Sequence, residues 1–378
     1  MLDRRLLRNL DFTLILVVLA IIIFGLVIIS SATHVTQADR ADPFGKVERQ
    51  VISVILGMML VGLMLSFNYE DLGRYAKWLY LINLGLLIFV EVKGKVAGGA
   101  QSWIEFGPLV IQPSEIIKIS IIISFAHYLT QRQGKLNTFW SLIPCFVHIG
   151  IPMLLILLQP DLGTALVFMA IMFGMLFIGG ANPGHLLGVI TAGLATAFGV
   201  LYAHLKYGLK IPLEPYQVKR LTIFLDPYTD PAGAGYHVIQ SQIAIGSGGL
   251  TGKGLFKGMQ NQLNFLPAQH TDFIFSVVGE ELGFIGASAL LLLFLILLFR
   301  GIRIAAQAKD TFGTLLVTGV VSMITFHILV NVGMTISIMP ITGIPLPFFS
   351  YGGSAMLTNM VSIGIVLNVY MRRQKLLF

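Results

Sequence analysis

Along the chain, apolar runs alternate with short polar or glycine- and proline-rich breaks, and the runs have the length of membrane crossings. A helix rising 1.5 Å per residue needs about 20 apolar residues to cross a hydrocarbon layer of about 30 Å. Runs of this kind predict ten helices, near residues 12–31, 48–67, 76–91, 113–129, 141–158, 163–179, 185–205, 272–299, 313–337 and 353–371. They recur over the whole sequence instead of forming one anchor. The predicted fold is therefore all-α and polytopic, a single integral membrane domain over residues 1–378. The first run, Phe12 to Ser30, is too long for a signal peptide and lacks a small-residue cleavage site, so it reads as a helix.

Composition agrees: 56% of the 378 residues are hydrophobic and 11% charged, against about a quarter charged in soluble domains. The lone cysteine, Cys145, excludes an internal disulfide. A net charge of +7 would suit nucleic acid, but the basic residues sit mainly in short loops between apolar runs. That distribution is a topology signal, and no nucleic-acid partner is expected. Arg4, Arg5, Arg8, Arg74, Lys77, Arg132, Lys135, Arg300, Arg303, Lys309, Arg372, Arg373 and Lys375 fall on one side if both termini lie inside, which makes N-in, C-in the expected orientation.

This orientation puts the segments with the oddest chemistry on the outer side: "GGAQSWIEFGPLVIQPSE", "QPDLG", residues 206–271 and "MPITGIPLPFFSYGG". Irregular backbone cannot face hydrocarbon, so these stretches should fold over the bundle or line a cavity in it. The long loop, 206–271, precedes the eighth helix and carries Ile243, Ile245, Leu255, Phe256, Leu263 and Phe265. It is expected to pack back on the bundle as a cap with short interfacial helices.

Asp272, in "HTDFIFSVVGEELG", stands at the head of the eighth run. It reads equally as a helix cap and as a functional carboxylate, since charges at a membrane boundary mark sites. Glu280 and Glu281 follow at about 12 Å or more along a helix, too far for paired glycosidase acids. In "QPSEIIK", Pro113 suits the first helical position, and Glu115 and Lys118 share a face. The pair is either a local ion pair or a holder of an anionic group. Asp161 in "QPDLG" reads first as a cap, and Trp103 as an interfacial aromatic or a sugar platform. "GSGGLTGKG" fails the phosphate-loop pattern, because Ser247 and Gly254 stand where Gly and Ser or Thr are required. Its Lys253 and Lys257 still add positive potential for an anionic substrate. The eight histidines lack metal-ligand spacing. Without a nucleotide motif, an enzyme of this kind needs a substrate that arrives already activated, such as a lipid-linked diphosphate. A transporter would fit the same features.

"FLDPYTDPAGAGYHVIQSQIAIGSGGLTGKG", "NFLPAQHTDFIFSVVGEELG", "QPSEIIK", "QPDLG" and "GIPLPFFSYGGS" together resemble the SEDS family (RodA/FtsW/SpoVE) over essentially the whole chain, most closely its RodA branch. The resemblance implies a ten-helix peptidoglycan glycosyltransferase that polymerises lipid II at the outer face of the bacterial cytoplasmic membrane during elongation. It implies a class B penicillin-binding protein as transpeptidase partner, alongside other elongation-complex proteins. The family's essential aspartate falls on Asp272 of the motif His270-Thr271-Asp272, expected to act as base or metal ligand. Lys118, Glu115, Trp103, Asp161, His270, Thr271 and Lys253 are the expected substrate-binding residues. No built-in cofactor is expected, with room for a divalent cation, Mg or Mn, beside the leaving diphosphate. The competing expectation is a lipid II flippase.

Overall fold

The computed structural model describes residues 8–34, 44–93, 95–97, 100–106, 109–208, 215–231, 233–263, 265–266 and 268–373. A helix occupies each of the ten predicted spans: α1 Phe12–Thr33, α2 Gly45–Ser66, α3 Tyr69–Lys93, α4 Pro113–Thr130, α5 Phe139–Leu158, α6 Leu162–Ile178, α7 Pro183–Tyr207, α11 Ile274–Ala306, α12 Thr311–Thr335 and α13 Gly353–Met371. Eight of them are long and apolar enough to cross a membrane. The other two are α6, with 17 residues, and α4, whose first turns are polar. The long loop contributes α8 Pro215–Leu225, α9 Ala234–Gly248 and the one-turn α10 Met259–Gln262.

Boundaries follow local chemistry. Asp11, Asp161, Asn182 and Asp310 accept backbone N–H groups at the starts of α1, α6, α7 and α12, satisfying donors that a helix leaves free. Pro113 opens α4, where its missing N–H costs nothing. The fold class is all-α, with one local addition: a small antiparallel sheet, β1 Lys95–Ala97, β2 Ala100–Phe106 and β3 Leu109–Ile111, precedes α4. Run lengths do not reveal it, because the glycines in this part of the sequence read as loop punctuation.

Helices α4, α12 and α13 form the buried centre, while α2, α3, α5 and α7 turn many apolar side chains outward, the arrangement that hydrocarbon demands. Close approach needs small residues. A Cβ on Gly174 of α6 would lie 2.0 Å from Ser322 Oγ of α12, and one on Gly319 of α12 would lie 2.7 Å from Ile122 of α4.

The eighth span is not the single smooth helix its sequence predicts. α11 breaks at Gly283, with φ 63° and ψ −159°. The glycine-rich segment after α9 heals the break: Lys253 N–H donates to Glu280 O and Gly254 N–H to Glu281 O, at 3.0 and 2.9 Å. In return, Phe284 and Ile285 donate to the carbonyls of Gly249 and Leu250 at 2.9 and 3.1 Å. Broken membrane helices persist only where neighbours satisfy the freed backbone groups in this way. A Cβ on Gly283 would sit 2.4 Å from Gly252 N. Gly283→Ala is therefore expected to cost about 2 kcal/mol or more, through positive-φ strain and the clash. Thermal unfolding in detergent measures this, and an unchanged Tm would contradict the account of the break.

Candidate functional site

The four polar segments singled out in the sequence come together at one end of the bundle. Gln112 N–H bonds Ser354 Oγ at 3.2 Å, Ser350 Oγ donates to Thr271 O at 2.7 Å, and Tyr351 N–H donates to His270 O at 3.0 Å. The opposite end gathers ion pairs of its own, Arg300 with Asp11 and Lys309 with Glu70.

Between the polar segments lies a cavity of about 50 Å³, lined among others by Glu115, Lys118, Asp161, Thr164, His327, Thr342 and Gly343. α4 supplies the charged pair: Lys118 Nζ lies 2.7 Å from Glu115 Oε1, with both side chains buried. α12 supplies His327, whose Nε2 lies 3.2 Å from the same Nζ. Asp161 does both things its position allows. It caps α6, accepting Thr164 N–H at 2.9 Å and the Thr164 hydroxyl at 2.7 Å, and it also lines the cavity. Thr342 Oγ1 is buried without a hydrogen-bond partner among the described residues.

Asp272 adjoins this cavity through Gly343. A Cβ on Gly343, which has φ +74°, would be 3.5 Å from Asp272 Oδ2. Asp272 is not itself among the residues lining the cavity, and Gly343, which is, lies between the two. Asn331 fixes the register: its Nδ2 donates to Asp272 O at 2.9 Å and to Ile344 O at 2.8 Å. Asp272 is half-buried, and the surrounding protein pushes its carboxyl pKa up to about 6, while Arg220 of α8 and the Thr271 side chain pull the other way. Desolvation disfavours the charged form, so the raised value marks a carboxylate fit to take a proton near neutral pH. Asn331→Ala would leave two carbonyls without a donor at about 1–3 kcal/mol each. It is expected to lower both Tm and turnover, and a native-like variant would show that Asn331 does not hold Asp272.

Other predicted residues go elsewhere. Lys253 pairs with Glu280 at 2.8 Å, and Glu280 also accepts the N–H groups of Gln260 and Asn261. Lys253 thus fastens the glycine-rich segment to α11 and is not among the residues lining the Lys118 cavity. Glu281 accepts from Ser31 Oγ at 2.6 Å and Asn261 Nδ2 at 3.1 Å, which ties α10 and α11 to α1. Trp103 lies in β2, paired with Lys95, and its side chain falls outside the described residues. The His270 ring tilts against Tyr351, centroids 5.6 Å apart. Sequence reasoning assigned no role to His327 or Asn331, and Arg220 counted only as one of the basic residues of the long loop. The signal for the first two was present, since a histidine and an asparagine four residues apart share one face of an apolar helix. Among the described residues, no three His, Cys, Asp or Glu side chains gather closely enough to hold a metal ion. The donors at hand fit only a cation shared with substrate oxygens, for which Asp272 would be the protein ligand.

The family model for the FtsW, RodA and SpoVE cell cycle proteins matches residues 11–375. Over 371 residues the chain is 38% identical to peptidoglycan glycosyltransferase MrdB of Escherichia coli K12, covering 97% of this chain and 95% of that one. It is 36% identical to stage V sporulation protein E of Bacillus subtilis strain 168, covering 95% and 96%. Among solved structures, a chain from "Structural coordination of polymerization and crosslinking by a peptidoglycan synthase complex" superposes with a TM-score of 0.79 at 35% identity, covering 96% of this chain and 98% of that one. The rod shape determining protein RodA of Thermus thermophilus gives 0.70 at 29% identity, covering 97% and 98%. With its helical membrane fold and a match over nearly its full length, the chain belongs to the FtsW, RodA and SpoVE family.

Proposed function

We propose that this protein is a peptidoglycan glycosyltransferase that polymerises lipid II at the outer face of the bacterial cytoplasmic membrane during cell elongation. The observation that carries the reading is the juxtaposition of Asp272, its pKa raised to about 6, with the cavity that holds Lys118. Relatives named peptidoglycan glycosyltransferase support it.

In this reading Asp272 accepts the proton of the acceptor GlcNAc 4-hydroxyl as that oxygen attacks C1 of the donor MurNAc. The O4–C1 bond forms and the bond from C1 to the phosphate oxygen breaks, so undecaprenyl diphosphate leaves with the electron pair. Lys118, held by Glu115, offsets the charge that grows on the diphosphate. Arg220 adds positive potential on the Asp272 side. Were a divalent cation to take part, Asp272 would hold it instead of acting as the base, and the cation would supply further charge neutralisation for the leaving diphosphate. The membrane rim suits this chemistry because a polyprenyl tail keeps the diphosphate there. The similarity to a complex concerned with polymerisation and crosslinking supports a class B penicillin-binding protein as the partner that crosslinks the strands.

Detergent-solubilised protein given lipid II, with and without that partner, tests the reading, since a micelle offers no second leaflet to translocate into. Glycan polymer is the expected product. No polymer under either condition, together with lipid II transfer across vesicles, would replace the polymerase with a flippase.

A further inference from the structure

Lys118 lies in the second turn of a membrane helix and is held from two sides. Its Nζ is 2.7 Å from Glu115 Oε1 and 3.2 Å from His327 Nε2, and the other ring nitrogen, Nδ1, is 2.8 Å from Met323 O. A carbonyl oxygen only accepts, so Nδ1 carries a proton. An ammonium only donates, so Nε2 presents its lone pair. The two contacts together select one tautomer of a neutral imidazole. All three side chains are nearly closed to solvent, with Lys118 2%, His327 4% and Glu115 6% exposed.

An ammonium has three N–H groups, and Glu115 and His327 take two of them. Because Lys118 lines the same cavity as Thr342 and Gly343, its third N–H is the group available to a ligand there. We infer that His327 is a positioning residue: as a neutral acceptor, it holds the Lys118 ammonium so that one N–H stays directed at the diphosphate of the lipid-linked substrate. The inference rests on the reading of Lys118 as the diphosphate's cation. Residue type matters at position 327. A carboxylate would give the group of Glu115, Lys118 and residue 327 a net negative charge, and that would repel a diphosphate. A hydrocarbon side chain would strand a buried N–H and leave a long flexible side chain to collapse onto Glu115. An imidazole anchored through Nδ1 accepts without adding charge.

The test is a double-mutant cycle on affinity for undecaprenyl diphosphate, measured with the full chain in detergent, with Tm recorded for each variant. His327→Leu and Lys118→Met are each expected to weaken binding by about tenfold, and the double variant by no more than either alone, since coupled residues are not additive. His327→Gln, which keeps an acceptor, should recover most of the affinity, whereas His327→Asn, which is too short to reach Nζ, should not. Native affinity in His327→Leu, or losses that multiply in the double variant, would overturn the inference. Should His327→Leu fail to fold, equal affinities for the Gln and Asn variants would overturn it. Native affinity and turnover in Lys118→Met would instead remove the reading of Lys118 itself, and with it the role of His327 in this reaction.

Discussion

Replacing Asp272 with Asn is expected to cut polymerisation of lipid II by about 10²–10⁴-fold, the usual contribution of a positioned general base, while leaving the protein folded and slightly more stable. Asparagine keeps the size and the polar contacts of the side chain but cannot take a proton. The gain in stability follows from linkage. The fold raises the Asp272 pKa from 3.8 to about 6. The folded state therefore binds this proton more tightly than the unfolded state, and native stability falls as pH rises through that window. A rise of that size corresponds to about 3 kcal/mol at most, and Asn removes the slope. Parallel turnover and unfolding measurements check both halves. Native turnover in the variant would take Asp272 out of the chemistry, and a drop in Tm would show that its carboxylate is structural.

The second large effect is expected at Lys118. Lys118→Met should remove most polymerisation, because the cavity loses its only ammonium among the residues that line it. It should also destabilise the protein by about 3–5 kcal/mol, since breaking one half of a buried pair strands the other charge. These consequences separate in Lys118→Met/Glu115→Gln, where no charge is left to strand. The double variant is expected to regain most of the lost stability and none of the activity. Recovered turnover in that variant would mean that the pair serves the fold alone.

How much of this was legible in the sequence depended on how far apart the interacting residues lie. The ten long helices among the described residues could be read from their apolar runs, and for eight of them a hydrocarbon layer sets the length directly. The Glu115 and Lys118 pair could be read because helical geometry brings positions three apart to one face. The third member of that cluster could not, since His327 is brought to Lys118 across 209 positions by the packing of α12 on α4. The same limit hid the break in α11. Gly283 reads as one glycine among 40, and only the distant Gly249–Gly254 segment, by supplying the missing backbone bonds, makes the break tolerable. Lys253 was expected at the substrate because its charge was visible, whereas its partner Glu280 was not identifiable as such from 27 positions away. Asp161 was read as a cap, which it is. Its second position on the cavity wall depends on the return of residues 342–345.

The most direct test of the central claim is the pH dependence of lipid II polymerisation at limiting substrate, between about pH 4.5 and 7.5, since kcat/KM reports the free protein's base, which must be ionised to act. The account predicts a kcat/KM that rises with pH and is half-maximal near 6, the value to which burial pushes Asp272. A flat profile across that range would contradict it.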